Sequence, residues 1–263
     1  MEQQRTDPED WLAPLRRRGL VPADCLAGFL VGSAARGWTN ARSDYDIYLV
    51  TGSVWQTETS NRIPMPLNPP QTHSETFYEQ GRRWEVTYWL ESQFDQLLAK
   101  VAWEEYERGF AGEVLTPREE VSLGRLATCL PLLGPQWIES ARGRLAASAF
   151  RSFVVVRSLG LADDAVEDAL GQLESGNPES ATISARRAFG HAVDALLEAE
   201  GEYGSHMPKW RPNRLRAIAP PFLRFEQYWA LETMRDYDPD APERWIKDVL
   251  TICQEISMRV ETT

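Results

Sequence analysis

The chain has 263 residues, 43% of them hydrophobic and 25% charged, with a formal net charge of −11. That is enough chain for one large domain or two smaller ones with cores of their own, in a globular balance of residue types. No apolar run approaches the ~18 residues of a membrane span, and the acidic balance, broken only by short basic clusters (Arg16-Arg17-Arg18, Arg82-Arg83, Arg186-Arg187 and Lys209 to Arg216), disfavours a protein that holds long nucleic acid.

Met1 to Trp11 is polar and acidic, which argues against a secretory signal. Asp7-Pro8-Glu9-Asp10 reads as a helix start, with Trp11, Leu12 and Leu15 following at helical spacing. Cys25 to Val31 is a continuous apolar run and reads as a buried strand. Cys25, Cys129 and Cys253 are widely spaced, match no metal motif, and are expected as free thiols in a reducing cytoplasm.

Gly32-Ser33 follows that strand; ten residues later comes Asp44-Tyr45-Asp46, and Tyr45 to Val50 reads as a second strand. Side chains alternate along a strand, so Asp44 and Asp46 share a face. Two carboxylates side by side repel unless a cation sits between them, so the pair reads as a divalent-metal site. A Gly-Ser turn offers backbone N–H groups and a hydroxyl that suit a phosphate. Arg36, about one turn further on, can reach the same phosphate, while Ser43 is expected as a turn residue.

Pro64, Pro66, Pro69 and Pro70 mark Asn61 to Gln71 as loop. His73 to Glu79, the turn Gln80-Gly81, and Arg83 to Trp89 form a hairpin candidate. On its second arm Glu85 shares a face with Arg83, Thr87 and Trp89, and Trp84, Val86 and Tyr88 take the other. Glu91 to Glu107 reads as a helix. From about Arg118 strand signals nearly vanish, and helices are expected at 118–130, 136–158, 162–174, 178–200, 220–235 and 241–260. The chain therefore reads as α+β: a domain over 1–115 with a mixed sheet, then an all-helical domain over 116–263.

Within 178–200, Asn177 suits the N-cap, Pro178 the first turn and Gly201 the stop. Ala185, Ala188, Phe189, Ala192, Val193, Leu196 and Leu197 form the buried face, and Arg187, His191, Asp194 and Glu198 form a polar stripe opposite it. That stripe is either a solvated face or the wall of a cleft, in which Asp194 or Glu198 can take an acceptor's hydroxyl proton or bind an ammonium group. Gly201 to Arg216 reads as a connector dense in cations and aromatics. Lys209 or Arg214 can hold a triphosphate there, and Tyr203 or Trp210 can stack on a base. The bland alternative is a surface connector anchored by Trp210.

The stretch from Gly32-Ser33 to Asp44-Tyr45-Asp46-Ile47 resembles the signature of DNA polymerase β-like nucleotidyltransferases, and the resemblance covers roughly residues 25–90. It implies that Gly32 and Ser33 touch the phosphates of a nucleoside triphosphate and that Asp44 and Asp46 bind Mg²⁺, two ions in all. It implies a third carboxylate on a later strand, which is Glu85, with Glu75 on the other hairpin arm as the alternative. The implied reaction moves an NMP group, AMP from ATP in the simplest case, to a hydroxyl and releases pyrophosphate.

The helical half is similar in architecture to the kanamycin and other small-molecule nucleotidyltransferases, and to HEPN domains. This implies a small hydroxylated acceptor, either aminoglycoside-like and cationic, which the net charge suits, or another metabolite. Transfer to a protein or RNA partner is the rival within the family, and a non-catalytic binding module the rival outside it. A membrane and nucleic acid are not expected as partners, and a homodimer is left open. Arg186 and His191 match the Arg-x4-His spacing of HEPN ribonucleases, but about 140° separates them on a helix at ~100° per residue, so ribonuclease activity is not expected.

Overall fold

The computed structural model describes residues 7–109 and 114–262. The chain forms two compact units, Met1–Ala102 with Leu115–Ser148, and Trp103–Val114 with Ala149–Thr263.

The first unit carries six strands: β1 (Cys25–Val31), β2 (Tyr45–Thr51), β3 (Asn61–Pro64), β4 (Gln71–Glu79), β5 (Arg82–Leu90) and β6 (Leu130–Leu133). They lie in the order β3-β4-β5-β2-β1-β6. β2 and β5 run parallel at the centre, and every other neighbour pair is antiparallel. Alternation divides the side chains between two faces. Tyr45, Ile47, Leu49, Trp84, Val86 and Tyr88 pack with Trp11 and Leu15 of helix α1 (Pro8–Arg17). On the other face Phe29, Tyr48 and Trp89 form an aromatic cluster with Phe94. A one-turn helix α2 (Gly32–Ala35) follows β1, and α3 (Glu91–Lys100) carries Phe94. Each buried side chain of this size contributes about 1.5–3 kcal/mol. A one-residue slip would turn the apolar set to solvent, so the pattern fixes the register.

The hairpin forms where expected. Gln80 and Gly81 take φ 52° and 73°, the pair of left-handed residues that lets a two-residue turn follow the strand twist. Elsewhere the structure departs from the sequence reading. Asn61–Pro64 is not loop but an edge strand, where a proline's missing N–H costs no ladder bond. Glu91 to Glu107 is two helices, because the backbone leaves the helical region at buried Val101 before α4 (Trp103–Glu107) begins. The short strand Leu130–Leu133 pairs with β1 at the sheet's edge; four residues containing Pro131 are too few to show alternation. With it, α5 (Pro117–Thr128) and α6 (Pro135–Ala147) belong to the sheet unit, since β6 completes the sheet and α5 buries Leu123 and Leu126. The boundary therefore does not fall at 115/116.

The second unit contains α4, α7 (Phe150–Glu174), α8 (Pro178–Ala199), α9 (Arg211–Ile218), α10 (Phe225–Glu232) and α11 (Pro242–Ser257). The break expected near 158–162 lies instead at extended Ser148, which leaves α7 as one helix of 25 residues. α7 and α8 pack along an alanine seam that includes Ala162, Ala165, Ala169, Ala181, Ala185 and Ala188. Trp245, Ile246, Val249 and Ile256 of α11 close the core. Asn177 caps α8 by accepting the Ser180 N–H, and Gly201 stops it at φ 80°. The connector after Gly201 contains α9, which starts with a proline in its first turn, a position that suits proline. No single helix among the described residues is long and apolar enough to cross a membrane. The three cysteines are free thiols.

Candidate metal and nucleotide site

Sheet register brings the acidic residues together. Asp46 of β2 is the direct cross-strand partner of Glu85 of β5, so the two share a face. Asp44 precedes Asp46 by one alternation and emerges on the same side. One carboxylate oxygen from each of Asp44, Asp46 and Glu85 lies within 4.8 Å of the others. Gly32 follows the neighbouring strand β1 and opens α2 at φ 68°, and a Cβ there would stand 2.8 Å from Asp46 Oδ2. Glycine is thus required twice, by the backbone angle and by the carboxylate beside it. Ser33 follows in α2. The loop before Asp44 is tied down by Arg82, which donates to the carbonyls of Asn40 at 2.6 Å and Ser43 at 3.1 Å. The Ser43 hydroxyl accepts the Asn40 N–H, as a turn residue should.

Three carboxylates this close repel one another, and two arginines offset the repulsion. Arg83 lies 2.7 Å from Glu85 and 3.7 Å from Asp44. Arg125 of α5 lies 3.5 Å from Asp46 and donates to the Tyr48 hydroxyl at 3.0 Å. Burial raises the Asp46 pKa; Arg125 pulls it back, Asp44 and Glu85 raise it further, and Arg83 opposes them. Burial alone would lower the Arg125 pKa, but Tyr48 and Asp46 beside it carry it above its ordinary value. An all-oxygen donor set with a glycine cradle fits a small, hard divalent cation. Beside Glu85 the same face opens into a cleft of about 590 Å³ between Thr87 and Trp89 of the sheet, Met65 of the loop after β3, and Arg118, Ser122 and Arg125 of α5.

Arg36 stacks over the Trp38 ring at 4.1 Å. Glu75 pairs with Val86 in the hairpin, so it belongs to the opposite sheet face, buried and bonded to the hydroxyls of Thr57 and Thr59. The third carboxylate of the cluster is Glu85. In the helical unit Lys209 is exposed in a short turn, 5.3 Å from the Trp210 ring.

The polar stripe on α8 divides: Arg187 is exposed and His191 half-buried, whereas the other two residues leave solvent. Asp194 and Glu198 are 1% and 0% exposed. Asp194 accepts from Arg211 at 2.7 Å and from Arg214 at 2.8 Å, and Glu198 accepts the Ser158 hydroxyl at 2.6 Å. Arg214 also donates to the Glu202 carbonyl. These carboxylates hold the helical unit together, which corrects their reading as a base, and Arg214 is committed to them. Burial raises the Glu198 pKa, and Asp194 adds to the rise. Arg186 and His191 do line one cleft, with Arg187 and Arg211, because a long arginine stem spans the angle that separates their Cα positions.

Sequence reasoning missed Arg83, Arg125 and Tyr48. A signal existed for Arg125: Arg118, Ser122 and Arg125 fall at i, i+4 and i+7 of one helix, a polar stripe beside the buried one.

No protein-family model and no curated protein matches the chain. Among solved structures it is similar to a nucleotidyltransferase-like protein from Exiguobacterium sibiricum 255-15, with a TM-score of 0.50 and 9% identity over 94% of this chain and 73% of that one. At that identity the likeness shows the fold, which is nucleotidyltransferase-like.

Proposed function

We propose that the chain is a Mg²⁺-dependent nucleotidyltransferase that moves a nucleoside monophosphate from a nucleoside triphosphate to a hydroxyl of a small acceptor and releases pyrophosphate. The observation that carries this reading is the Asp44–Asp46–Glu85 cluster, with ligand atoms within 4.8 Å, set against a glycine that leaves it room. Divalent ions held there would supply charge neutralisation at the attacking and leaving oxygens. The chain's own residues do the positioning. Gly32 and Ser33 present backbone N–H groups and a hydroxyl to the triphosphate. Arg125, 3.5 Å from Asp46, is placed to meet phosphate charge with a guanidinium fork. Tyr48 holds that fork at 3.0 Å and limits its rotation. The chemistry asks for little beyond positioning and charge stabilisation. Pyrophosphate release is the test, with each NTP, Mg²⁺ and a panel of hydroxylated small molecules. Release that depends on an acceptor and is lost on Asp46→Asn is expected. Absence of pyrophosphate with every pair would contradict the proposal.

A further inference from the structure

The cleft beside Glu85 carries information about the acceptor, and the inference rests on the nucleotidyl-transfer reading. Sheet order separates two sides of the acidic cluster. Gly32-Ser33 leaves β1, Asp46 stands on β2, Glu85 on β5, and β4 and β3 lie beyond. The phosphate turn is on the β1 side of the carboxylates and most of the cleft on the β5 side, with Arg125, 3.8 Å from where a Gly32 Cβ would stand, reaching both. A triphosphate laid on Gly32-Ser33 leaves the cleft to the acceptor.

The lining of this cleft is apolar and aromatic at Trp89, Ile63 and Met65, and its charges are chiefly positive. Arg125 is held by Asp46 and Tyr48. Arg118 sits seven residues earlier on the same helix face, about 10 Å away at 1.5 Å per residue. It is exposed, and among the described residues its guanidinium makes no ion pair or hydrogen bond. Glu85 is the single carboxylate of the lining, and Arg83 covers it at 2.7 Å. Glu119, next along α5, is buried and turned to Lys100 at 2.5 Å and to Thr116. An ammonium group in the cleft would meet guanidinium, and the one acid of the lining is already paired. The overall charge of −11 favours cations at long range, but the local field decides what stays.

We propose that the acceptor is a hydroxylated organic anion. Its carboxylate or phosphate pairs with Arg118, its apolar or aromatic body lies on Ile63, Pro64 and Val121, and its hydroxyl points to the carboxylate cluster. Polycationic acceptors of the aminoglycoside kind are disfavoured by Arg118, whose charge no carboxylate of the lining balances. The volume, about 590 Å³, suits a small molecule.

The test compares two ligands matched in shape, 4-(hydroxymethyl)benzoate and 4-(hydroxymethyl)benzylamine, with kanamycin as a polycation. Binding to the full chain is measured by calorimetry and ligand-observed NMR. The benzoate is expected to bind at least about tenfold more tightly than the amine or kanamycin. Arg118→Gln is expected to weaken the benzoate about fivefold or more, the scale of a charge-assisted contact, while MgATP binding stays unchanged. Arg118→Glu is expected to reverse the preference. Arg118 is exposed, so circular dichroism of the variants should match the parent. Equal or tighter binding of the amine or kanamycin would overturn the proposal. So would benzoate binding unchanged by Arg118→Gln, or a loss of MgATP binding in its place. Binding requires no turnover, so this result is independent of whether any NTP yields pyrophosphate.

Discussion

Gly32→Ala tests the site at a single atom, and Gly37→Ala is its control. The two glycines hold nearly the same backbone angle, φ 68° and 66°. An L side chain in that region costs about 1–2 kcal/mol, so both variants lose that much. The surroundings differ. A Cβ on Gly37 meets nothing within 4 Å, whereas on Gly32 it stands 2.8 Å from Asp46 Oδ2. Ordinary contact begins at 3.4 Å, so the carboxylate must retreat by about 0.6 Å or leave its rotamer. An off-rotamer side chain costs a further ~0.5–1.5 kcal/mol, and the oxygen is no longer where the other two carboxylates converge. Urea unfolding gives the stability of each variant, and Mn²⁺ titration followed by electron paramagnetic resonance gives the metal affinity. Gly32→Ala should lose about 2–3 kcal/mol in all and at least tenfold in Mn²⁺ affinity, while Gly37→Ala keeps the parent's affinity. Equal Mn²⁺ affinity in the two variants would refute the argument that Gly32 leaves room for a ligating Asp46.

Three further outcomes are expected. Asp46 has a folded pKa above its unfolded value of about 3.9, so its ionised form opposes folding at neutral pH and that cost fades as pH falls through the raised pKa. Asp46→Asn should therefore be more stable than the parent at pH 7, with the difference vanishing below pH ~4; an equally or less stable variant would contradict this. Mn²⁺ affinity should fall with pH from above the usual carboxylate range, and Arg125→Gln, which removes a group that lowers the Asp46 pKa, should move the fall to higher pH; an unmoved midpoint counts against it. Asp194→Ala leaves Arg214 buried without its ion pair and Arg211 with Glu232 alone, at 3.6 Å, and should cost about 3–5 kcal/mol in urea unfolding; a variant as stable as the parent would show that this network does not hold the helical unit.

The acidic cluster was legible because strand chemistry is local. Asp44 and Asp46 declare a shared face by alternation, and a two-residue turn at Gln80-Gly81 sets which residues of the second arm stand with Glu85. The α8 stripe was misread for the opposite reason. Charged residues opposite an apolar face look solvated in one dimension, and the arginines that bury Asp194 come 17 and 20 residues later, in a segment that reads as connector. Leu130–Leu133 and Asn61–Pro64 are strands only because the sheet offers them an edge, and each contains a proline that a lone strand would not tolerate. Arg125 belongs to the site through the docking of α5 on the sheet; its i, i+4, i+7 stripe marks a polar face but not what that face meets.

Mn²⁺-dependent nucleotide binding is the most direct measure of the central claim, with a non-hydrolysable α,β-methylene ATP as the probe. Asp44 is the suitable residue to change, since its side chain is 41% exposed. The analogue should bind the parent only when Mn²⁺ is present, and Asp44→Asn should weaken Mn²⁺ and analogue together by at least tenfold. Binding that ignores Mn²⁺, or that survives Asp44→Asn at full strength, would contradict a metal-held nucleotide at this site.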